Sequence, residues 1–151
     1  SNDWKRVHWK MNIEHQLQEK KMYISTTSGT SMYPMLRNKK DVIVIVPNTG
    51  LKKYDVVLYK RKDKYILHRL LKIKNGQCII RGDNLFFKEK DKKEEDIIGV
   101  LKEFYRGDKL INLNSFGYKF YVRFWNFIYP LRYVFHFGIS LLKKIYHLFK
   151  K

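Results

Sequence analysis

The segment Ser28-Gly29-Thr30-Ser31-Met32-Tyr33-Pro34-Met35-Leu36 has the residue types of a nucleophile loop. A serine hydroxyl reacts when its backbone holds it beside a base and turns an N–H toward the developing oxyanion. Gly29 permits close backbone approach ahead of Ser31, and Pro34 fixes its own φ and biases Tyr33 to an extended conformation. Gly29, Thr30, Met32 and Pro34 would then shape the loop and oxyanion hole around Ser31. A Ser/Thr-rich turn without chemistry fits this segment equally well.

The surroundings decide between the two. Gly29-x-Ser31-Met32-x-Pro34-x-Leu36 resembles the nucleophile motif of the type I signal peptidases and their self-cleaving repressor relatives. Further stretches follow in the family's order. Asp55-Val56-Val57-Leu58-Tyr59 resembles its "GD-V-V" strand, with Tyr54 where the family usually has Gly. Ile66-Leu67-His68-Arg69-Leu70-Leu71-Lys72-Ile73 resembles the segment bearing the general base. Arg81-Gly82-Asp83-Asn84 resembles the "GDN" box, and Ile97-Ile98-Gly99-Val100 the closing strand. The resemblance spans roughly residues 25 to 105 and implies a serine peptidase of the signal-peptidase clan, with Ser31 as nucleophile and no cofactor.

The base position sets the branch. Most bacterial signal peptidases and the repressors carry lysine there; the endoplasmic-reticulum and archaeal branches and some bacterial relatives carry histidine, as His68 does here. An imidazole with an ordinary pKa near 6.5 takes a serine proton at neutral pH without the deep burial a lysine base requires. On a strand, Lys72 shares the face of His68 but lies about 13 Å away at roughly 3.3 Å per residue, too far to substitute. In the histidine branch an acid at or soon after the GDN box orients the ring. Asp83 matches the box and is the expected third member; Glu89, where the family tends to place a second Asp, and Asp91 stand behind it. Asp83 could equally serve the turn after Gly82 structurally.

These residues need a scaffold. The β-branched run Val42 to Val46 stops at Pro47-Asn48-Thr49-Gly50 and reads as a strand. Val56 to Tyr59 is a second strand, followed by a charged turn over Lys60 to Lys64. Tyr65 to Ile73 turns at Asn75-Gly76 into Cys78-Ile79-Ile80, and Ile97 to Tyr105 closes the region. Lys88 to Asp96 reads as a solvated loop. The expected fold is mainly β: a compact signal-peptidase-like β-barrel or sandwich over residues 22–115. A weak helix over residues 1–21 precedes it, with Ile13 and Leu17 at i,i+4 spacing, and a helical tail over residues 116–151 follows. Cys78, the only cysteine, excludes an intramolecular disulfide and a cysteine-based zinc site and reads as an inert core thiol. His8, His15, His136 and His147 show no metal spacing, so no metal is expected.

The formal net charge of +18 calls for an anionic partner, and its distribution narrows which. From Phe116 onward there is no Asp or Glu, against seven Lys/Arg and 13 of the chain's 24 aromatics. Leu131, Val134, Phe135, Leu141, Leu142, Ile145, Leu148 and Phe149 recur at helical spacing, opposite Arg132, Lys143 and Lys150, with Pro130 where a helix would start. Phe120 to Tyr129 reads as a separate helix. No stretch reaches the about 20 apolar residues of a spanning helix, and Trp4 to Lys21 is too charged for a secretory h-region. The stripe could pack on the β-domain as ordinary structure, but the lack of acids and the density of aromatics favour an anionic membrane surface, bound peripherally and in a bacterium, with the membrane side open. The expected substrate is a leader or precursor peptide; no specific nucleic acid is expected. The competing reading is a basic module on a peptidase-like fold that holds membrane or nucleic acid without cleaving.

Overall fold

The computed structural model describes residues 13–150; residues 1–12 of the expected N-terminal helical segment lie outside them. Within residues 13–115 the strands are β1 (Tyr23–Thr26), β2 (Asp41–Pro47), β3 (Val56–Arg61), β4 (Lys64–Lys74), β5 (Gln77–Arg81), β6 (Glu89–Lys93), β7 (Ile97–Arg106) and β8 (Lys109–Asn112). They form one antiparallel sheet in the order β1-β2-β7-β3-β4-β5-β6, with β8 also on β7. The protein is mainly β with helical ends, the fold class expected from the sequence.

β-branched residues are stiff at χ1 and pack well on a pleated surface, which suits β2 to its place between β1 and β7. β7 is the organising strand. One edge pairs with β2; the other pairs with β3 along its first half and with β8 along its second. Val57, Tyr59, Leu70, Cys78, Ile80 and Ile97 form one buried cluster across β3, β4, β5 and β7. Each large aliphatic side chain there contributes about 1.5–3 kcal/mol by leaving water. Cys78 is fully buried, and burial pushes its thiol pKa up.

Two expectations about charged segments are corrected. Only Lys62-Asp63 turns between β3 and β4, so Arg61 belongs to a strand and pairs with Lys64. Residues 88–96 are not a loop: Glu89–Lys93 pairs with β5 as edge strand β6, and Glu94–Asp96 is a 3₁₀ turn. Charged side chains are at home on an edge, because one backbone face is paired while the side chains reach water.

Helix α1 covers residues 13–20 of the described chain, with Ile13 and Leu17 both buried. The residues from Phe116 onward form a second compact unit. It contains α2 (Phe116–Phe127) and α3 (Tyr129–Phe149), with Pro130 in the first turn of α3 where its missing N–H costs nothing. Stacked rings line α2, Phe116 on Phe120 and Phe120 on Phe124, and the Arg132 guanidinium lies 4.0 Å from the Trp125 ring centroid. Leu131, Val134, Phe135, Leu141, Leu142, Leu148 and Phe149 are all exposed. Among the described residues no helix is long and apolar enough to cross a membrane.

Candidate active site

The β3–β4 hairpin builds one side of the site. Its register pairs Val57 with His68 and Tyr59 with Ile66, so Tyr59 and His68 are diagonal neighbours on one face. Aromatic side chains reach across such diagonals. The two rings meet edge to face, with centroids 6.2 Å apart. His68 is buried and Tyr59 fully so.

The nucleophile loop supplies the other side. His68 Nε2 lies 3.0 Å from Ser31 Oγ, and Ser31 keeps partial exposure. Backbone bonds hold the loop in place. Asn84 N–H donates to Ser31 O at 2.9 Å, Asn84 Nδ2 donates to Thr30 O at 3.1 Å, and Tyr33 N–H also donates to Thr30 O. Met32 is buried, with its carbonyl accepting from Leu36 N–H, and Arg106 clamps the carbonyls of Pro34 and Met35 at 2.8 Å each. Gly29 N–H donates to Asn38 Oδ1 at 2.9 Å and is spent on holding the loop. Residues 82–84 thus form the backrest of the Ser31 loop. A Cβ on Gly82 would sit 2.6 Å from Ser31 O, so only glycine allows this approach.

The far side of the imidazole faces a polar chain. Tyr59 Oη lies 3.1 Å from His68 Nδ1 and donates to Glu89 Oε1 at 2.8 Å. Arg61 donates from both Nη2 and Nε to the Glu89 carboxylate. Glu89 Oε1 itself is 3.6 Å from Nδ1, beyond hydrogen-bonding distance. Burial and then the Arg61 charge lower the His68 pKa from 6.5 to about 4, with Asp83 pulling weakly the other way. Glu89 is the acid on the Nδ1 side of the ring, and Arg61 already engages it. The ring is therefore neutral at rest. Burial also raises the Tyr59 phenol far above its ordinary value.

Three of the expected acids sort differently from the resemblance. Asp83 holds the buried Arg69: both of its oxygens bind the guanidinium, at 2.8 and 2.9 Å. The two ring nitrogens of His68 face Ser31 Oγ and Tyr59 Oη. Glu89, brought inward by the β5–β6 pairing, is the carboxylate on the Nδ1 side. Asp91 is exposed and lies 3.9 Å from Lys92. Lys72 is also exposed, beyond a bulge in β4 at Leu70/Lys72. Arg69 further donates to Tyr54 O at 2.8 Å. Tyr54 adopts a left-handed φ of 73°, a conformation that favours glycine.

Tyr59 and Arg61 were not expected at the site. Tyr59 was legible in principle, because a two-residue hairpin turn at Lys62-Asp63 puts it diagonal to His68. Nothing in the sequence pointed to Arg61. Among the described residues no group of three or more His, Cys, Asp or Glu is placed to hold a metal ion. No known family model matches the chain, and no curated protein is significantly similar to it.

Proposed function

We propose that the chain is a serine endopeptidase of signal-peptidase type, with Ser31 the nucleophile and His68 the general base. The observation that carries this reading is the 3.0 Å approach of His68 Nε2 to Ser31 Oγ, on a loop pinned by backbone bonds. In the acylation step the Ser31 O–H bond breaks and its proton passes to Nε2. Oγ bonds the peptide carbonyl carbon as the carbonyl π pair moves to oxygen, the charge that a backbone N–H of this loop would stabilise. The imidazolium then returns the proton to the leaving amine, and water repeats the sequence to release the acyl group.

The substrate class follows from the resemblance: a leader or precursor peptide, with small residues before the cut. The exposed apolar residues of α3, flanked by Arg132, Lys143 and Lys150 and free of acids, support delivery at an anionic membrane surface. Mass spectrometry of a precursor-peptide library incubated with wild type, Ser31→Ala, His68→Ala and the double variant tests the reading. Each single change should abolish most turnover, and the double should be little worse than either, since the two act as one unit. Additive losses, or cleavage unaffected by Ser31→Ala, would reject the dyad, and no cleavage by wild type would favour a non-catalytic basic module.

A further inference from the structure

We propose that Tyr59 is a positioning residue of this site: its phenol, inserted between His68 Nδ1 and the Glu89–Arg61 ion pair, selects the ring tautomer that leaves Nε2 free to accept the Ser31 proton. The inference rests on the serine-peptidase reading and concerns how its base is set.

The hydrogen-bond inventory of three groups leaves one arrangement. A carboxylate only accepts, so the contact between Tyr59 Oη and Glu89 Oε1 at 2.8 Å takes the single phenol proton. The phenol oxygen can then only accept at its 3.1 Å contact with His68 Nδ1. The ring proton therefore sits on Nδ1, and Nε2 presents its lone pair to Ser31 Oγ at 3.0 Å. In the opposite tautomer Tyr59 would donate to Nδ1 and turn an oxygen lone pair on Glu89, while Nε2–H would donate to the serine and could not act as base. Glu89 cannot make the selection alone, because it stands 3.6 Å from Nδ1.

Burial makes the selection firm. Tyr59 is fully buried and His68 nearly so, and a phenol held protonated by its surroundings does not become an anion beside the ring. Arg61 occupies Glu89 in the resting state, so the carboxylate does not draw a second proton onto the imidazole. When the Ser31 proton reaches Nε2, the Nδ1–H stays on Nδ1 and its bond to Tyr59 tightens, with Glu89 behind the phenol. No proton leaves Nδ1 in this step.

Tyr59→Phe is the informative change, because it keeps the buried ring and removes only the hydroxyl. The imidazole nitrogens of His68 report their protonation directly through ¹⁵N chemical shifts in full-length protein at about pH 7. Wild type should show a protonated Nδ1 and an unprotonated Nε2, and Tyr59→Phe should move the proton partly or wholly to Nε2. With a cleavable peptide, the same variant should lose about 10- to 100-fold in kcat with KM nearly unchanged, the scale of a misplaced catalytic group. Wild-type protein with its proton on Nε2 would overturn the proposal, as would a Tyr59→Phe variant with unchanged tautomer and kcat. A purely structural Tyr59 would lower the melting temperature and leave the tautomer alone, which also overturns it. The expected tautomer shift in a protein that cleaves no peptide would support the role of Tyr59 and count against the peptidase reading instead.

Discussion

Acidification should expose the burial of His68 both in stability and in rate. The ring's ordinary pKa is 6.5 and the fold lowers it to about 4, chiefly by burial and then by the Arg61 charge. Above pH 6.5 the imidazole is neutral in folded and unfolded chains alike and contributes no pH dependence. Between about pH 6.5 and 4 the unfolded chain binds the proton and the folded one does not, so stability falls as pH falls across that window. At about 1.4 kcal/mol per tenfold change in proton affinity, the full loss is about 3 kcal/mol, most of it felt by about pH 4.5. Other groups also titrate there, so the measurement is a difference. Urea unfolding of wild type and His68→Gln should be compared at about pH 7 and about pH 4.5. Wild type should lose about 2–3 kcal/mol more than the variant, whose side chain does not titrate. Ser31, Tyr59 and Glu89 face the ring nitrogens, the Arg61 and Asp83 charges act on it, and the Arg61–Glu89 pair must stay formed for the value to hold. The acid limb of kcat/KM should correspondingly lie near 4, not near the 6 to 7 that an unperturbed imidazole would give. Equal acid sensitivity of the two proteins, together with a limb near 6.5, would refute the burial argument.

Asp83→Asn leaves the fully buried Arg69 guanidinium without its counter-charge and should cost about 3–5 kcal/mol in unfolding experiments. The acid limb of kcat/KM should stay in place, and a large shift would restore Asp83 to the catalytic chain. Gly82→Ala puts a methyl 2.6 Å from Ser31 O, so crystallography should find the nucleophile loop displaced and turnover should fall more than about 10-fold, whereas wild-type rates would contradict the backrest role. Full-length protein should co-sediment with phosphatidylglycerol vesicles, less so as salt rises, and Leu141→Asn with Leu148→Asn should release most of it; undiminished binding would place the membrane contact elsewhere.

The β-branched run of β2, the Asn75-Gly76 turn and the helical period after Leu131 were plain in the sequence, because local propensity and burial pattern agree there. Residues 88–96 were misread because nine charged or polar positions carry no burial signal, and only the backbone of β5 makes part of them a strand. Ser31 and His68 were singled out by the segments around them, although 37 residues separate the two.

The sequence by itself determined which groups could react and on which short elements they would ride. A nucleophile loop needs particular residue types at particular spacing, and that is a local property. The tertiary structure alone decided what surrounds His68. Asp83 and Glu89 are both acids downstream of His68, and nothing local distinguishes a carboxylate committed to Arg69 from one reached through Tyr59. That choice depends on the β3–β4 and β5–β6 registers, which set what faces each ring nitrogen. The pKa of about 4 depends on how much water the packed sheet excludes, a quantity no single segment contains.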